Sequence, residues 1–368
     1  MTCADNSDGG AGTLSTYTIS GTPDDSEVAA TTVTVTATQG TDSVSQQVTI
    51  TVSQINDEPT LTATGATGTF TEGGSNLALF SSADAGDSDS AATQTFEEIT
   101  VTITNVADEE EFLVIDGSDC DITAAATCVA NTATNSGAAV VTLDSGTATV
   151  TWTADDGNEL SEAEMEALVN GLAYKNTDDA PTVSNNRVVT ITSMKDSGGT
   201  TGAGDDTVSL SIAATVTLQN TNDAPVIADS DDTGSVTEAA SGTTDTATDT
   251  MTVSDADAGD TLTWSCTGCT DQGSTQTATG TYGSWSIVEA TGAWTYTLNN
   301  ADTDTDSLDG GDTATDSLTM VVSDGTTTAS HQVDVTVNGA NDAPTSAAGT
   351  GCCRLPPQGP SGTLGPEG

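Results

Sequence analysis

The segment Gln332-Val-Asp-Val-Thr-Val-Asn-Gly-Ala-Asn-Asp-Ala-Pro344 joins an alternating strand to an Asn-Asp-x-Pro junction. Valine at every second position predicts a β-strand with one buried face. Two similar junctions occur earlier, Asn56-Asp-Glu-Pro59 and Asn222-Asp-Ala-Pro225, and each follows an alternating strand of its own. This repetition predicts a series of β-domains connected at three junctions.

Two pairs of alternating apolar segments predict β-hairpins. The pairs are 31–37 with 48–52, and 318–322 with 333–337. The first hairpin turns at Gln39-Gly-Thr and the second at Asp324-Gly. The distance from the turn to the following junction Asp is the same in both, since 57 − 39 = 18 and 342 − 324 = 18. Each hairpin is therefore predicted to close a module of the same kind.

We predict an all-β fold of tandem β-sandwiches divided at the junctions. The predicted segments are 1–57, the C-terminal part of a truncated module; 58–223, a long module with one short helix; 224–343, a shorter module; and 344–368, a disordered tail of different composition. Because the first module opens partway through, the sequence is expected to be a piece of a longer protein.

One helix is predicted within the long module. Ser161-Glu-Ala-Glu164 is a capping box, and Met165, Leu168 and Leu172 follow at helical spacing. The same module contains Asp179-Ala-Pro181, which resembles a junction. It lacks acidic residues at the offsets described below, so we interpret it as internal to the module.

Five apolar residues of the shorter module are predicted to share one face of a hairpin. They are Trp285, Ile287, Trp294, Tyr296 and Leu298. Aromatic rings on an exposed sheet can bind sugars, but at inward-facing positions they are more typical of a core. We therefore expect these side chains to be buried.

The cysteines at 120 and 128, and those at 266 and 269, are expected to form two local disulfides if the protein is exported. Free thiols are the alternative. A zinc site is not predicted, because zinc would require further Cys or His ligands and the chain has a single histidine, His331.

The chain is strongly acidic, with 55 Asp and Glu against 4 Lys and Arg and a formal net charge of −51. Nucleic acids and anionic membranes bind proteins through Lys and Arg, so neither is expected as a partner. No apolar run reaches the ~18 residues of a membrane-spanning helix, so membrane insertion is not expected either. Carboxylates at this density favour cations, which reduce their mutual repulsion.

An enzyme is not expected. His331 lies on a predicted strand, and the chain lacks a Gly-x-Ser-x-Gly nucleophile motif. Paired carboxylates of the glycosidase kind occur by chance in so acidic a sequence, but helices that could form a pocket around the strands are not predicted.

Acidic residues recur at equal distances from the first two junctions. Counted from the junction Asp, a Glu lies at 72 − 57 = 15 and at 238 − 223 = 15, and an Asp lies at 89 − 57 = 32 and at 255 − 223 = 32. Calcium takes six to eight oxygen ligands and tolerates irregular geometry, so carboxylates from several loops suit it. The spacing favours calcium over the simpler interpretation, in which these are solvated loop residues.

Several motifs of the shorter module occur together and in order. They are Asp255-Ala-Asp-Ala-Gly-Asp260, the Gly-x-Trp-x-Tyr-x-Leu strand at 292–298, Ser323-Asp-Gly325 and the closing junction. Over about 225–345 this set resembles the VCBS repeat of large bacterial surface and secreted proteins. The long module is similar to bacterial cadherin-like repeats, through Leu172-Ala-Tyr-Lys-Asn176, Asp179-Ala-Pro181 and its own closing junction.

These resemblances imply immunoglobulin- or cadherin-like β-sandwiches in tandem, an extracellular or cell-surface location, and Ca²⁺ at the joints. The implied ligands are Asp57, Asp87 and Asp89 at the first joint; Glu72, the Asn222 carbonyl, Asp223, Asp255 and Asp257 at the middle joint; and Glu238 with Asp342 at the last. A cadherin joint reads Asp-x-Asn-Asp, whereas its first position here is Gln54, Asn220 or Gly339. An internal Asp-Arg-Glu element is also absent, so two customary ligands are missing.

The predicted function is a calcium-stiffened extender or stalk of a bacterial extracellular adhesin or biofilm protein. The alternative is a module of such a protein that binds carbohydrate or a host surface directly, with cell-surface glycans or other adhesin chains as partners. A third interpretation is general acidic adaptation to a saline habitat, in which monovalent salt would stabilise the chain as well as calcium does.

Overall fold

The structure is a computed structural model that describes residues 2–5, 17–22, 29–39, 41–89, 95–129, 134–200, 204–228, 232–239 and 243–342. The predicted tail, 344–368, lies outside the described residues. The chain divides into two compact units, Met1–Thr221 and Asn222–Gly368. The prediction of an all-β chain of tandem β-sandwiches is confirmed. The predicted segment boundaries stay predictions.

The first unit contains two sheets of a sandwich, several strand pairs and one helix. Its described elements are β1 (Thr2–Asp5), β2 (Tyr17–Ser20), β3 (Ala30–Gln39), β4 (Asp42–Thr51), β5 (Thr60–Gly65), β6 (Thr67–Thr71), β7 (Leu77–Ala78), β8 (Phe80–Gly86), β9 (Phe96–Thr104), β10 (Glu111–Ile115), β11 (Ser118–Asp121), β12 (Ala126–Val129), β13 (Gly137–Asp144), β14 (Thr147–Ala154), α1 (Glu162–Asn170), β15 (Ala173–Asn176), β16 (Arg187–Asp196) and β17 (Thr207–Gln219).

The larger sheet of this unit has the order β12-β13-β14-β9-β16-β17-β6, and the smaller one has the order β11-β10-β15-β7. All neighbouring strands of both sheets are antiparallel except β17 and β6, which are parallel. Alternation of Val or Ile with Thr gives β9 one buried face. The core includes Trp152 and an edge-to-face pair of Phe70 and Tyr174, with ring centroids 5.4 Å apart.

The predicted helix is present as α1, and its capping box is confirmed. The Ser161 side chain accepts the Glu164 N–H, and the Glu164 carboxylate accepts the Ser161 N–H in return. Met165, Leu168 and Val169 are buried. The amphipathic spacing therefore attaches this short helix to the core of the first unit.

The two predicted hairpins are confirmed and share one register. Val33 pairs with Val48 in the β3–β4 hairpin. Leu318 pairs with Val333 in the hairpin near the end of the second unit. Each of the latter two residues lies 285 positions beyond its counterpart, since 318 − 33 = 285 and 333 − 48 = 285. Val333 is buried, whereas Val48 is 42 % exposed.

The second unit is a sandwich of a four-stranded and a five-stranded sheet, ordered β19-β28-β27-β22 and β20-β26-β25-β24-β23, beside the pair β18–β21. Its described strands are β18 (Val226–Ile227), β19 (Thr233–Thr237), β20 (Thr246–Thr250), β21 (Val253–Ser254), β22 (Thr263–Cys266), β23 (Thr270–Asp271), β24 (Thr275–Thr279), β25 (Gly283–Val288), β26 (Ala293–Leu298), β27 (Thr313–Ser323) and β28 (Thr328–Asn338).

The predicted aromatic face of the second unit lies in its core. Trp285, Trp294 and Tyr296 are each at most 2 % exposed, and the Trp285 ring lies 4.8 Å from that of Tyr296. The hairpin register brings them together, because Trp285 pairs with Tyr296 and Ile287 pairs with Trp294 across β25 and β26. The expectation that these side chains form the core is confirmed.

Both expected disulfides are present, one in each unit. Cys120 is bonded to Cys128 and Cys266 to Cys269. The Cα–Cα separations of 4.9 and 5.4 Å lie in the usual range for disulfides. Among the described residues, no helix is long and apolar enough to cross a membrane.

Candidate metal centres

In each unit, one glutamate follows a short strand that runs parallel to the last strand of the module. The parallel pairs are β6 with β17 and β19 with β28. Because paired parallel strands end at the same edge of a sheet, the residue that follows the short strand lies close to the residues that follow the last strand. Glu72 accepts a hydrogen bond from the Thr221 N–H at 2.8 Å, and Glu238 accepts one from the Ala340 N–H at 3.0 Å. The shared offset of 15 thus marks equivalent positions.

A loop and a turn of the second unit hold the junction Asn222-Asp223. The Asp223 N–H donates to Asp257 Oδ2 at 2.7 Å, and the Asp257 N–H donates to Asp255 Oδ1 at 3.0 Å. The Asn222 amide donates to Asp324 Oδ2 at 2.9 Å, and also to the carbonyl of Asp223. Three segments that are distant in sequence therefore meet at this junction.

Carboxylate oxygens of Asp255, Asp260 and Asp324 lie within 4.8 Å of one another, close enough to share one metal ion. Partial desolvation raises the pKa of Asp260, and the charges of its acidic neighbours raise that pKa further. The pKa of Asp324 lies below its ordinary value, because the Thr327 hydroxyl donates a hydrogen bond to the carboxylate. This end of the unit concentrates negative charge that a cation would neutralise.

The junction Asn56-Asp57 repeats this arrangement within the first unit. The Asp57 N–H donates to Asp89 Oδ2 at 3.3 Å, and the Asp89 N–H donates to Asp87 Oδ1 at 2.9 Å. The Asn56 amide donates to both carboxylate oxygens of Asp196, at 3.1 and 3.2 Å. Asp196 ends β16 and therefore corresponds to the turn aspartate of the second unit.

Two carboxyl groups near this junction lie in surroundings that disfavour an isolated negative charge. Asp196 is 0 % exposed, and burial raises its pKa to about 6. The charge of Asp87 acts in the same direction, while the Gly198 N–H and the Asn56 amide oppose the shift. Burial also raises the pKa of Asp87. A cation beside these groups would relieve the penalty.

A third acidic group lies at the other end of the second unit. Oxygens of Glu238, Asp306 and Asp342 lie within 4.8 Å of one another. Glu238 is buried, whereas Asp306 and Asp342 are exposed. The loop that carries Asp306 is anchored by the buried Thr305, whose hydroxyl donates to the Tyr282 carbonyl at 3.3 Å.

These donor sets suit calcium, since every candidate ligand atom is an oxygen. Within the described residues, one buried carboxylate oxygen of each of Asp87, Asp223 and Asp255 has no hydrogen-bond partner. Buried polar atoms are nearly always partnered in folded proteins. A hard divalent cation would supply the missing partner, so the residues at both junctions fit calcium.

Gln54 stands where a cadherin joint has its first Asp. Its amide nitrogen donates to Asp89 Oδ1 at 2.6 Å, while its amide oxygen is buried without a hydrogen-bond partner. Compared with the Asp of a cadherin joint, Gln54 lacks the negative charge but still offers an oxygen that could bind a cation.

The structure brings most of the predicted ligands together in separate groups. These groups are Asp57, Asp87 and Asp89 in the first unit, Asn222, Asp223, Asp255 and Asp257 in the second, and Glu238 with Asp342 at its other end. Glu72 lies in the first unit, against Thr221. That these residues bind metal stays a prediction. The sequence interpretation missed Asp196, Asp260, Asp306 and Asp324.

One inference from the spacing is wrong. The offset of 32 aligns Asp89 with Asp255, but the N–H of the junction Asp binds Asp89 in one unit and Asp257 in the other. Asp87 and Asp255 are therefore equivalent. The loop of the second unit lies two residues further along the chain, since 87 − 57 = 30 and 255 − 223 = 32.

Residues 222–339 match a family of bacterial cadherin-like domains. In the comparison with curated proteins, no relative matches the chain. Similar solved structures include mouse clustered PcdhgC3 EC1-3, with 18 % identity over 88 % of this chain and 82 % of that chain and a TM-score of 0.29. Mouse Protocadherin-24 EC1-3 has 15 % identity over 92 % of this chain and 90 % of that chain, with a TM-score of 0.36.

An endo-fucoidan hydrolase, MfFcnA4 from glycoside hydrolase family 107, has 15 % identity over 93 % of this chain and 37 % of that chain, with a TM-score of 0.19. The TM-scores of all three structures are too low to carry a functional conclusion.

Proposed function

We propose that this chain is a calcium-stiffened spacer, a stalk region of a bacterial extracellular adhesin or biofilm protein, and that it has no catalytic role. The observation that carries the proposal is the buried, unpartnered oxygen of Asp255 inside a group of three carboxylates. The match of residues 222–339 to bacterial cadherin-like domains supports the adhesive and extracellular parts. The two disulfides support export, because disulfides persist mainly in oxidising compartments.

Calcium would act on the junction segment itself. Asp223 is already tied to the loop at Asp257 through its N–H, and Asn222 is tied to the turn at Asp324. An ion held by Asp255, Asp260 and Asp324 would neutralise these like charges and fix the junction to the module that follows it. Without the ion the carboxylates repel one another, so the junction would move more freely.

The alternative, direct binding of glycans, receives no support from the four tryptophans. Each of the four tryptophans, at 152, 264, 285 and 294, is at most 2 % exposed. They cannot offer a flat ring for a sugar to stack on. Glycan partners and the VCBS assignment stay predictions from the sequence.

Thermal unfolding tests the proposal in three buffers: EDTA, about 5 mM calcium, and sodium chloride of equal or greater ionic strength. Extracellular calcium modules bind at about 10⁻⁴–10⁻³ M, so about 5 mM is enough to load them. Specific sites predict a higher Tm in calcium than in sodium chloride. Equal stabilisation by the two salts would contradict calcium binding and favour the saline-adaptation interpretation.

A further inference from the structure

Arg187, one of only 4 basic residues in the chain, is 0 % exposed and lies inside a shell of oxygen atoms. Its Nε donates to Glu111 Oε2 at 3.0 Å, and its Nη2 donates to Glu111 Oε1 at 2.7 Å and to Asp108 Oδ2 at 2.9 Å. Its Nη1 donates to the carbonyls of Thr182 and Asn185, at 3.1 and 2.9 Å. Five oxygen atoms therefore accept all five N–H groups of the guanidinium.

The acidic partners of Arg187 are themselves fully engaged. Glu111, 0 % exposed, also accepts the Tyr174 hydroxyl at 2.9 Å and the backbone N–H groups of Ala107 and Asp108 in the loop before β10. Asp108 also accepts the Asn176 amide at 2.9 Å and the Thr182 N–H at 2.9 Å. None of these side chains is among the unpartnered buried groups of the described chain. The junction oxygens of Asp87, Asp223 and Asp255 differ in that respect.

The guanidinium remains a cation at this position. Burial lowers the pKa of Arg187, but the hydrogen bonds and the charge of Glu111 outweigh burial, so the pKa lies above its ordinary value. The ion pairs with Asp108 and Glu111 measure 2.9 and 2.7 Å. Two carboxylates and two carbonyls around one positive centre make the all-oxygen environment that calcium also prefers.

The arginine fixes the loop 177–186, which contains the junction-like sequence Asp179-Ala-Pro181. Arg187 holds this loop through the carbonyls of Thr182 and Asn185, and Asp108 holds it through the Thr182 N–H. The loop thus resembles a junction in sequence, but it is fastened by a side chain of the protein.

We propose that Arg187 occupies a cation site, so that its guanidinium holds the loop 177–186 in the way calcium is proposed to hold the junctions. This part of the first unit is therefore independent of metal. The proposal rests on the proposed function only for that contrast. Within one module, Arg187 would hold the loop 177–186 whether or not calcium is present, whereas the region around Asp87 would be held only when calcium binds.

Hydrogen–deuterium exchange on the full chain, in EDTA and in about 5 mM calcium at matched ionic strength, tests the proposal. Peptides from 107–116 and 174–187 should exchange at the same rate in both buffers, within about twofold, while peptides from 222–223 and 255–257 should exchange faster in EDTA. Faster exchange at 107–116 and 174–187 on chelation would overturn the proposal. If neither region responds, the calcium function fails while the arginine proposal stands.

The variant Arg187→Ala adds a second test. In EDTA it leaves two buried carboxylates without their counter-ion, so exchange at 174–187 should accelerate at least about 100-fold. Calcium should then enter the oxygen shell and slow exchange at 174–187 in this variant about tenfold or more, whereas sodium chloride should not slow it. The proposal would be overturned if calcium did not slow exchange at 174–187, or if the variant stayed unfolded in calcium. It would also be overturned if sodium chloride slowed exchange as much as calcium does.

A control and a conservative variant accompany this test. Lys175→Ala removes a basic residue that is partly exposed and paired with Asp119, so exchange at 174–187 should change by less than about twofold. Arg187→Lys keeps the charge but supplies fewer donors to the oxygen shell, so it should fall between wild type and the alanine variant. Wild-type exchange in Arg187→Lys would contradict the need for a guanidinium in the shell.

Discussion

Asp255→Asn is expected to change stability in opposite directions with and without calcium. In the absence of metal, Asp255 contributes a buried oxygen that lacks a partner, and its carboxylate has an oxygen within 4.8 Å of oxygens of Asp260 and Asp324. The neutral amide of Asn removes one negative charge from this group, and its N–H groups can donate hydrogen bonds to the neighbouring carboxylates. The variant should therefore be more stable than wild type in EDTA and less stable than wild type in calcium.

The magnitudes follow from the buried atom and from calcium linkage. An unsatisfied buried polar group costs about 1–3 kcal/mol, so relieving part of this cost should stabilise the EDTA form by about 1 kcal/mol. With a Kd of about 10⁻⁴–10⁻³ M, calcium at about 5 mM stabilises a single site by about 1–2.3 kcal/mol. The variant should lose most of that contribution. Each kcal/mol corresponds to roughly 3–6 °C in Tm for a module of this size.

The assay is thermal unfolding of wild type and Asp255→Asn in EDTA and in calcium, followed by tryptophan fluorescence. Asp249→Asn is the matched control, because Asp249 is an exposed Asp of the same unit and belongs to neither acidic group of the second unit. The control should shift both curves by less than about 2 °C. If Asp255→Asn lowers Tm in EDTA, or leaves the calcium response intact, the assignment of Asp255 as a ligand is refuted.

Two further predictions concern the scaffold. Ser161→Ala should cost about 1 kcal/mol at neutral pH by removing the cap of α1. The Ser161 N–H and hydroxyl both donate to the Glu164 carboxylate and hold its pKa below the ordinary value, and the variant loses only the hydroxyl bond, so only part of the loss should fade as the pH falls through that pKa. Urea unfolding followed by tryptophan fluorescence checks both points, and a loss under about 0.5 kcal/mol at neutral pH would contradict the cap. Asp316→Ala should cost about 3–5 kcal/mol, because it leaves the Tyr296 hydroxyl and two backbone N–H groups without their acceptor. Chemical unfolding of the second unit measures this, and a cost under about 1 kcal/mol would be inconsistent with the buried bonds.

Local pattern was sufficient to predict the fold. The period-two alternation in 318–322 and 333–337 determines which side chains face inward, and the constant distance of 18 residues from turn to junction determines the register. The aromatic face was predictable for the same reason, because the parity of Trp285 and Tyr296 follows from the hairpin. These features depend on neighbours in one strand or hairpin, which the sequence contains directly.

The candidate sites were only partly predictable, because they assemble from loops with no periodic signal. Asp324 meets Asn222 across 102 positions, and only the fold brings them together. The equal offset of 15 identified equivalent glutamates because each one directly follows the second of two strands after its junction, β6 or β19, and both of these strands are five residues long. The offset of 32 failed because it crosses loops, whose lengths vary without affecting the core.

The environment of Arg187 also depends on long-range contacts that the local sequence does not predict. An isolated arginine at the start of a strand is typical of an exposed residue. Its burial depends on Asp108 and Glu111, 79 and 76 positions away in the chain. The rejection of Asp179-Ala-Pro181 as a junction rested on missing acidic offsets, and in the structure this loop lies between β15 and β16, where Arg187 donates hydrogen bonds to it.

Direct calcium binding to the intact chain, measured by isothermal titration calorimetry in a background of sodium chloride, tests the central claim most directly. The account predicts saturable binding with a Kd of about 10⁻⁴–10⁻³ M that weakens markedly in Asp223→Asn and in Asp255→Asn. Non-saturable binding that sodium chloride abolishes equally in all three proteins would contradict it.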